Sequence, residues 1–423
     1  MTRWCSSAPP LSSDRVTGRA DREALIVTAQ PKHVAFLLND FALGGAERVT
    51  ITLCNALAER GLRVELLLRK KKGPLIDALS DSVEITLLPA SDRWHWMPAI
   101  AKLGRTSPAL LSYLLAQNPP GFVRRLPALR DYLQKERPDA LFSTLTGNNL
   151  LAVWAAELAK VPTRIVLRIA TTISRDFAQD RKASPPASPV LLRHWYPRAH
   201  EIVCVSQGVK RDLESFIGRA VPSAETIYNP LDLERIACLS KAPVTHSWLN
   251  GESKDCIVAL GRLEPAKDYA TLLRAFARLD AERPARLIIL GEGGERGKLS
   301  ALAEELGIAD RVDLHGDVPN PFSFLAHADL YVLSSAYEGC PNALMEAMAC
   351  GCRVVSTDCP SGPRELLQDG AIGPLVPVGD AEALAAAMAR ALAQPPAPER
   401  VKARAAAYDL PKMVERYVDA LVS

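Results

Sequence analysis

The chain lacks the sequence features of membrane-spanning, secreted and disulfide-bonded proteins. Its 423 residues contain no apolar run long enough to cross a bilayer. The N-terminal stretch has no apolar signal-peptide core, and its polar composition predicts a disordered extension over 1–30. The nine cysteines are scattered and form no C-x-x-C pair, which is typical of a reducing compartment. We therefore expect a cytoplasmic protein.

The chain also lacks the patterns by which many proteins hold a metal ion. No Asp-x-Asp motif occurs, and no group of His, Cys, Asp or Glu has metal-ligand spacing. We therefore predict no metal site and no resident cofactor. If the protein handles an anionic leaving group, arginine, lysine and helix amides must neutralise it instead.

The composition is that of an ordinary globular protein, with 48% hydrophobic and 23% charged residues. The charge is uneven, however. The chain through Arg235 holds 32 Lys and Arg against 23 Asp and Glu, and the remainder holds 19 against 25. This asymmetry suggests different partners for the two halves. Nucleic acid is not expected among them, because the basic residues belong to no recognisable binding module.

Apolar runs and helical patterns alternate along the first half. A continuous apolar run at His33–Asn39 predicts a buried parallel strand, and a glycine loop, a helix ending at Gly61 and a strand at Arg63–Leu68 follow. This order predicts a doubly wound parallel sheet. Further strands are predicted at Glu84–Leu88, Ala140–Ser143, Arg164–Arg168, Glu201–Val205 and Thr226–Tyr228.

The same alternation restarts in the second half, so we predict two Rossmann-like α/β domains in tandem that face a central cleft. The expected boundaries are a first domain over 31–235, a linker over 236–255, a second domain over 256–405 and a C-terminal helix over 406–423 that crosses back to the first domain. Strands of the second domain are predicted at Cys256–Leu260, Arg286–Leu290, Val312–His315, Leu330–Leu333 and Arg353–Ser356.

A basic segment in the first half has two interpretations. Between Ala99 and Arg130 there is no acidic residue, and Trp94 and Trp96 lie just before it. Its cations among apolar residues suit contact with an anionic lipid surface. An ordinary basic loop beside a core helix explains them equally well. The cations are Lys102, Arg105, Arg124, Arg125 and Arg130.

Two glutamates eight positions apart are the most informative feature. Glu338 and Glu346 bracket the start of a helix predicted over Asn342–Cys350, with Gly351 as its left-handed stop. Pro341 suits the first helical position, so Cys340 would be the N-cap, which is not a usual capping residue. The first amides would then be free to bind an anion. Solvated surface glutamates are the ordinary alternative.

Three further motifs follow predicted strands, where α/β folds bind ligands. GRLEPAKD places Arg262 and Lys267 where two cations could clamp a diphosphate. LGEGGERGKL is a glycine turn, and TDCPSGPREL is a rigid turn that shapes a site. In the first half, GGAERV supplies Gly44 and Gly45 at another helix start. Each motif alone also suits an ordinary turn or a surface helix.

In their order, GRLEPAKD, LGEGGERGKL, LHGDV and SSAYEGCPNALMEAMACGCRVVSTDCPSGPREL resemble the retaining glycosyltransferases of family 4. The first half matches more loosely, through GGAERV, YPRAHEIVCVSQGVKRDL and IYNP. The resemblance implies the two-domain GT-B fold, a nucleotide-sugar donor and no bound metal. The STDCPSGPREL form resembles bacterial enzymes that add hexoses or N-acetylhexosamines to surface polysaccharides and lipid-linked oligosaccharides, which favours a UDP-sugar.

The resemblance also implies roles for individual residues. Arg262 and Lys267 would bind the donor diphosphate, and Glu338 would hold sugar hydroxyls at the reacting face. Glu346 would bind the ribose, and the backbone around Val318 would contact the base. The remaining donor contacts would come from Gly44, Gly45, Gly339, Cys340, Asn342 and Ala343. The acceptor would be a glycan or a lipid-linked glycan at the cytoplasmic face of the membrane.

The chain departs from the family where many relatives carry a histidine after the fourth strand. Ala170 and Thr171 stand there, and Arg168 is a candidate to take over the role. Two other functions remain open as alternatives. A GT-B-fold sugar-nucleotide epimerase would need no acceptor site, and a non-catalytic nucleotide-sugar-binding protein would need no intact set of Arg262, Lys267, Glu338 and Glu346.

Overall fold

A computed structural model describes residues 32–115, 119–175, 189–244, 246–250 and 255–422. The disordered extension predicted over 1–30 lies outside the described residues. Among the described helices, none has both the length and the hydropathy that a bilayer span needs.

The first half forms a seven-stranded, fully parallel sheet in the order β3-β2-β1-β4-β5-β6-β7. All six residues of the first strand are buried, as expected for a parallel strand covered on both faces. The order reverses between β1 and β4, which creates a crevice at their carboxyl ends. The strands are β1 His33–Leu38, β2 Arg63–Leu68, β3 Glu84–Leu87, β4 Ala140–Thr144, β5 Arg164–Ile169, β6 Glu201–Cys204 and β7 Ala224–Thr226.

The second half forms a six-stranded parallel sheet in the order β10-β9-β8-β11-β12-β13. Its order reverses between β8 and β11, so it has a crevice of the same kind. The two Rossmann-like sheets confirm the predicted fold class. The strands are β8 Asp255–Leu260, β9 Ala285–Leu290, β10 Val312–Gly316, β11 Leu330–Leu333, β12 Val354–Thr357 and β13 Leu375–Val376.

Helices connect the strands and cover both sheets. In the first half they are α1 Gly45–Glu59, α2 Arg93–Gly104, α3 Ser112–Leu115, α4 Leu126–Glu136, α5 Thr146–Ala159, α6 Pro189–Trp195, α7 Gln207–Ile217 and α8 Leu233–Leu239. In the second half they are α9 Tyr269–Glu282, α10 Arg296–Glu305, α11 Pro321–His327, α12 Asn342–Cys350, α13 Pro363–Leu366, α14 Ala381–Ala393, α15 Pro398–Ala405 and α16 Leu410–Val422.

The last helix, α16, returns to the first domain, as predicted. It packs on α1, β4 and β5 of the first sheet, and its side chains Met413, Val414 and Tyr417 belong to that domain's core. The Tyr417 ring lies 6.0 Å from the ring of Phe142 on β4. This helix therefore connects the second domain back to the core of the first, which ties the two domains together.

The structure corrects three local predictions. The seventh strand is Ala224–Thr226 and not Thr226–Tyr228, because its partner β6 ends at Cys204, which pairs with Thr226. The segment between the domains is not all linker, since α8 buries Ile236. The helix at Asn342 has Pro341 and not Cys340 as its N-cap, because the φ and ψ of Pro341 are extended.

The basic segment contributes mostly to the core. Its apolar side chains Ile100, Leu103 and Leu126 are fully buried or nearly so, and Trp96 is only 2% exposed. Trp94, in contrast, is 85% exposed. The apolar residues therefore fit the core-helix interpretation, and the exposed tryptophan remains available for contact with a surface.

Candidate active site in the interdomain cleft

The centre of the site is the uncapped start of α12. Its N-cap, Pro341, offers no side-chain hydrogen bond, and the first intrahelical bonds run from the amides of Leu344 and Met345 to the Pro341 carbonyl. The amides of Asn342 and Ala343 therefore have no acceptor within the helix. They carry the positive end of the helix dipole, which suits an anion.

Glu338 and Lys267 meet beside this helix start. The Lys267 ammonium lies 2.6 Å from Glu338 Oε1, and the Ser335 hydroxyl donates to the same oxygen at 2.7 Å. Only 22% of the Lys267 side chain and 12% of the Glu338 side chain are exposed. The carbonyl of Lys267 also accepts a hydrogen bond from Ser334. The structure thus brings together two residues that lie 71 positions apart in sequence.

Arg262 lies at the same cleft but is more exposed. Its guanidinium pairs with Glu264 at 2.6 Å, with 66% of the arginine side chain exposed. It also acts across the cleft on Glu47 of the first domain. Burial raises the pKa of Glu47 and nearby Asp40 adds to this effect, whereas the positive charge of Arg262 lowers that pKa.

The first domain presents the predicted glycine loop to the second. Gly44 is the N-cap of α1, and the Glu47 carboxylate from the first turn folds back over this helix start, since a Cβ at Gly44 would lie 1.9 Å from Glu47 Oε2. A Cβ at Gly45 would lie 3.3 Å from the side-chain nitrogen of Asn342. The start of α1, covered by Glu47, and the uncapped start of α12 therefore lie next to each other across the cleft.

A buried chain of polar contacts links Arg168 to the same helix start. Arg168 is 1% exposed and donates to Asn229 Oδ1 at 2.5 Å, and Asn229 Nδ2 donates to Asn342 Oδ1 at 2.6 Å. The side chain of Arg168 therefore lies beneath the cleft and holds Asn229. The idea that it replaces the missing histidine within the cleft loses support, because its visible role is to position a neighbour.

Ala170, which stands where many relatives carry the histidine, contacts the second domain through its backbone. A Cβ added at Gly339 would lie 2.0 Å from the Ala170 carbonyl oxygen, so only glycine allows this approach. The Gly339 carbonyl in turn accepts a hydrogen bond from the Ser206 hydroxyl at 2.8 Å. Gly339 is thus a packing point between the domains, in addition to any contact that its amide makes.

Glu346 lines a separate cavity of about 270 Å³ between α1, α8 and α12. Burial raises the pKa of its carboxyl group, and the nearby guanidinium groups of Arg48 and Arg235 oppose that rise. The wall also includes Asn342 and Pro319, the neighbour of Val318. Arg48 and Arg235 were missed from sequence, although Arg48 lies within the GGAERV motif.

Two other predicted residues take less direct positions. Cys340 is 8% exposed, and its thiol points to the Met345 sulfur at 3.4 Å. Burial raises the pKa of this thiol to about 12, so it is not a reactive thiolate. Val318 is partly buried and packs on the core that includes α11 and α12.

Glu365, from the TDCPSGPREL turn, is a site-forming residue that sequence reasoning missed. Its carboxylate accepts hydrogen bonds from the amides of Gln207 and Gly208 at 2.8 and 2.7 Å, and from the Tyr228 hydroxyl at 2.7 Å. Glu365 thus caps α7 of the other domain with a negative charge. No signal in the sequence pairs these segments, which are more than 130 positions apart.

Among the residues that the structure describes, one group of metal-ligand side chains comes together that sequence spacing did not reveal. Ligand atoms of His246, Asp313 and His315 lie within 4.8 Å of one another. Asp313 Oδ2 is hydrogen-bonded by both histidine rings, at 3.0 and 2.8 Å. These contacts already account for the cluster. That the protein needs no metal stays a prediction.

Two tandem parallel sheets that face a cleft are the two-domain Rossmann-like architecture of the GT-B fold. The family models agree with this fold. Residues 43–235 match the model described as Glycosyltransferase Family 4, and residues 245–408 match the model described as Glycosyl transferases group 1. The chain thus contains two glycosyltransferase domains, one of each kind.

Similar proteins come from bacterial glycan pathways. An N-acetylgalactosamine-N,N'-diacetylbacillosaminyl-diphospho-undecaprenol 4-alpha-N-acetylgalactosaminyltransferase of Campylobacter jejuni is 34% identical over 241 residues, 57% of this chain and 63% of that protein. The lipopolysaccharide core biosynthesis glycosyltransferase LpsE of Rhizobium meliloti is 38% identical over 137 residues, 32% of this chain and 39% of that protein. The chain thus spans less than two thirds of the length of either relative.

Solved structures agree on the fold. HepE of Anabaena, solved in complex with UDP, superposes with a TM-score of 0.71 at 19% identity, covering 92% of this chain and 99% of that one. WaaG, a glycosyltransferase involved in lipopolysaccharide biosynthesis, gives a TM-score of 0.65 at 17% identity, covering 92% and 100%.

Proposed function

We propose that the protein is a retaining glycosyltransferase that moves a hexose or N-acetylhexosamine from a UDP-sugar to a glycan or lipid-linked acceptor in cell-surface polysaccharide assembly. The observation that carries this proposal is the Lys267–Glu338 pair beside the uncapped start of α12, opposite the glycine loop at Gly44. This arrangement offers positive potential for a diphosphate and a carboxylate for sugar hydroxyls side by side.

At the donor end, each polar group would have a distinct task. Lys267 and Arg262 would neutralise the diphosphate together with the amides at the start of α12. Glu338 would accept hydrogen bonds from the sugar hydroxyls, and the Ser335 hydroxyl keeps its carboxylate in place. The cavity beside Glu346 would hold the nucleoside, and support for UDP comes from the UDP complex of the structurally similar HepE.

The reaction would break the bond between the sugar C1 and the diphosphate oxygen and form a bond from C1 to the acceptor oxygen on the same face. The acceptor proton would pass to the departing diphosphate. The protein's part is to stabilise the negative charge that develops on that leaving group, which Lys267, Arg262 and the helix dipole can do without a metal ion.

The acceptor would lie in the first domain, near the membrane surface. The Campylobacter jejuni relative acts, by its name, on a diphospho-undecaprenol substrate. The exposed Trp94 and the cations Lys102 and Arg105 lie at or next to α2 and suit a peripheral contact with anionic lipid. An epimerase would need no such surface, and a non-catalytic protein would not need the Lys267–Glu338 pair.

The proposal is tested by calorimetric titration of the full chain with UDP-, GDP- and ADP-sugars in the presence of EDTA. We expect one UDP-sugar to bind with micromolar affinity, and Glu346→Ala to weaken that binding at least tenfold. Binding of none of the donors, or binding that requires a divalent ion, would contradict the proposal. NMR of the product anomer with the donor so identified decides between retention and inversion.

A further inference from the structure

A second cavity, distinct from the one beside Glu346, lies within the first domain at the carboxyl edge of its sheet. Its volume is about 170 Å³. It sits where the strand order reverses between β1 and β4, the usual ligand position in an open parallel sheet. Its wall includes Arg69, Arg125, Leu145 and Asn148, together with apolar side chains such as Leu37 and Phe122.

One side of this cavity is the start of α5, a helix of 14 residues. Its N-cap, Leu145, provides no side-chain cap and has φ of 74°, a strained value for a residue with a side chain. The first intrahelical bond runs from the Asn149 amide to the Leu145 carbonyl, so the three preceding amides have no acceptor within the helix. The positive end of the helix dipole therefore faces the cavity.

Asn148 provides an independent sign of a missing ligand. It is 4% exposed and lines the cavity, and its side-chain nitrogen has no hydrogen-bond partner among the described residues. Its neighbour Asn149 is equally buried but fully engaged, with Ser143 as donor and the Arg168 carbonyl as acceptor. A buried amide without an acceptor destabilises the fold, and a bound acceptor oxygen would remove that cost.

Two guanidinium groups complete the wall. Arg125 donates to the backbone carbonyls of Leu88 and Gly121 at 3.2 and 2.5 Å, so neutral oxygens hold its orientation. Burial, together with the positive charges of Arg69 and Arg124, lowers the pKa of Arg125. Arg69 pairs with Asp40 at 3.2 Å and is 40% exposed, which leaves donors for a further anion.

We propose that this cavity binds a phosphate or diphosphate group of the acceptor through Arg69, Arg125, Asn148 and the first amides of α5. The cavity is smaller than the roughly 300–1,000 Å³ typical of a site for a whole small-molecule ligand, but two phosphoryl groups fit. A nucleotide-sugar donor is too large for it.

The position of the cavity agrees with an acceptor that meets the donor. Asp40, the partner of Arg69, lies close enough to Glu47 to raise the pKa of that carboxyl group, and Arg262 of the donor side acts on the same glutamate. A bound phosphoryl group would therefore lie near the diphosphate of the donor, with the acceptor sugar between them. The assignment to an acceptor rests on the proposed function, although the anion site does not.

The experiment is calorimetric titration of inorganic pyrophosphate into the full chain saturated with UDP, which occupies the donor site. We expect binding that Asn148→Asp and Arg125→Gln each weaken at least tenfold, because the first adds a negative charge and the second removes a positive one. Asn148→Asp is nearly isosteric, and its carboxylate could accept hydrogen bonds from Arg125 and from the first amides of α5. This variant should therefore fold and bind UDP normally.

Matched controls separate the cavity from other basic surfaces. Lys70→Ala removes a cation next to Arg69 that does not line the cavity, and Lys267→Ala alters the donor side; neither should change pyrophosphate binding. Equal losses in Arg124→Ala and Arg125→Gln would overturn the proposal in favour of a diffuse basic surface. Absent binding, or binding unchanged in Asn148→Asp, would also overturn it.

Two further probes identify the source of the phosphoryl group. Tighter binding of farnesyl diphosphate in detergent than of pyrophosphate would assign a lipid-linked acceptor, and tighter binding of a sugar 1-phosphate would assign a soluble one. If UDP itself does not bind, the proposed function fails. Pyrophosphate binding lost in Asn148→Asp but retained in Lys267→Ala would still establish the anion site.

Discussion

At the scale of single residues, the proposed donor site is centred on the Lys267–Glu338 pair. The two side chains are mostly buried and 2.6 Å apart, and Ser335 fixes the carboxylate from a second side. An ammonium group and a carboxylate held this way are already oriented before a ligand enters. The cost of ordering them has therefore been met during folding and does not weaken binding.

We predict that Glu338→Gln lowers kcat by about 100-fold or more while UDP affinity changes less than about threefold, because its contacts gain strength in the transition state. The measurement is steady-state kinetics together with UDP titration. Glu305→Gln, on the exposed face of α10, serves as control. A near-normal kcat in Glu338→Gln would remove this residue from the reacting face.

Lys267→Ala should weaken donor binding by about 2 kcal/mol, the size expected for a charge-assisted hydrogen bond. It also leaves the Glu338 carboxylate without its cation beside the diphosphate. Titration with the UDP-sugar measures the loss, and Lys298→Ala on an exposed helix turn provides the comparison. Equal affinities in wild type and Lys267→Ala would show that the diphosphate binds elsewhere.

At the scale of elements, the loop before α12 matters because it packs against the other domain. Gly339 approaches the Ala170 carbonyl, Ser206 bonds to the Gly339 carbonyl, and Glu365 caps α7. These contacts join a loop of the second sheet to the strand ends of the first. The contact between the two domains therefore depends on close packing of the backbone at Gly339 as much as on hydrogen bonds between side chains.

Gly339→Ala should hinder closure, since its Cβ would lie 2.0 Å from a backbone oxygen that cannot move aside easily. We expect kcat to fall by about tenfold or more, with a larger radius of gyration in small-angle scattering. Gly297→Ala is the matched control, because a Cβ there meets nothing within 4 Å. Unchanged kcat and scattering would show that closure tolerates the added methyl group.

Within the first sheet, ionisation of Glu65 should make the stability of the fold depend on pH. Burial would raise its pKa, but hydrogen bonds from His33, Thr86 and Tyr132 outweigh this effect and lower the pKa to about 2. Because the folded-state pKa lies below the unfolded one, the ionised carboxylate stabilises the fold above about pH 4.5. That contribution, about 3 kcal/mol, is lost as the pH falls toward 2.

We therefore predict that urea unfolding between pH 6 and pH 2.5 shows a steeper loss of stability in wild type than in Glu65→Gln. The variant is less stable at pH 6 and has no charge to lose. Glu84→Gln, which removes an exposed glutamate on the neighbouring strand, should keep the wild-type slope. The same slope in Glu65→Gln and wild type would rule out Glu65 as the source.

At the scale of the whole molecule, the chain joins two crevices into one cleft by sending α16 back to the first sheet. That helix buries Tyr417 against β4 and completes a core that the first domain cannot complete alone. The chain thus connects the two domains at both ends of the second domain.

The last prediction concerns membrane binding by the outer surface of the first domain. Trp94→Ala should weaken binding to vesicles that contain anionic lipid several-fold, since Trp94 is 85% exposed and lies on the helix that carries Lys102. Added salt should weaken the remaining binding, because each cation contributes about 1 kcal/mol near such a surface. Val378→Ala, an exposed apolar site in the second domain, is the control. Equal vesicle binding in both variants would refute a membrane role for Trp94.

The sequence by itself determined the α/β class, most of the strands, and the bounds of α12 with Gly351 as its stop. Buried parallel strands are continuous apolar runs, so His33–Leu38 and Leu330–Leu333 are visible locally, and Gly351 ends α12 as its sequence position predicts. Sequence could not place the N-cap, because extended φ and ψ at Pro341 depend on how the preceding loop packs.

Only the tertiary structure decided which residues meet. The contacts of Glu365 with the start of α7 and of Arg168 with Asn229 join segments far apart in sequence. The periodicity of apolar residues along the sequence indicates which side chains are buried. It does not indicate which residue from a distant segment each side chain contacts. Hydrogen bonds and charge pairs act over a few ångströms, so their partners exist only once the two sheets and α16 have packed together.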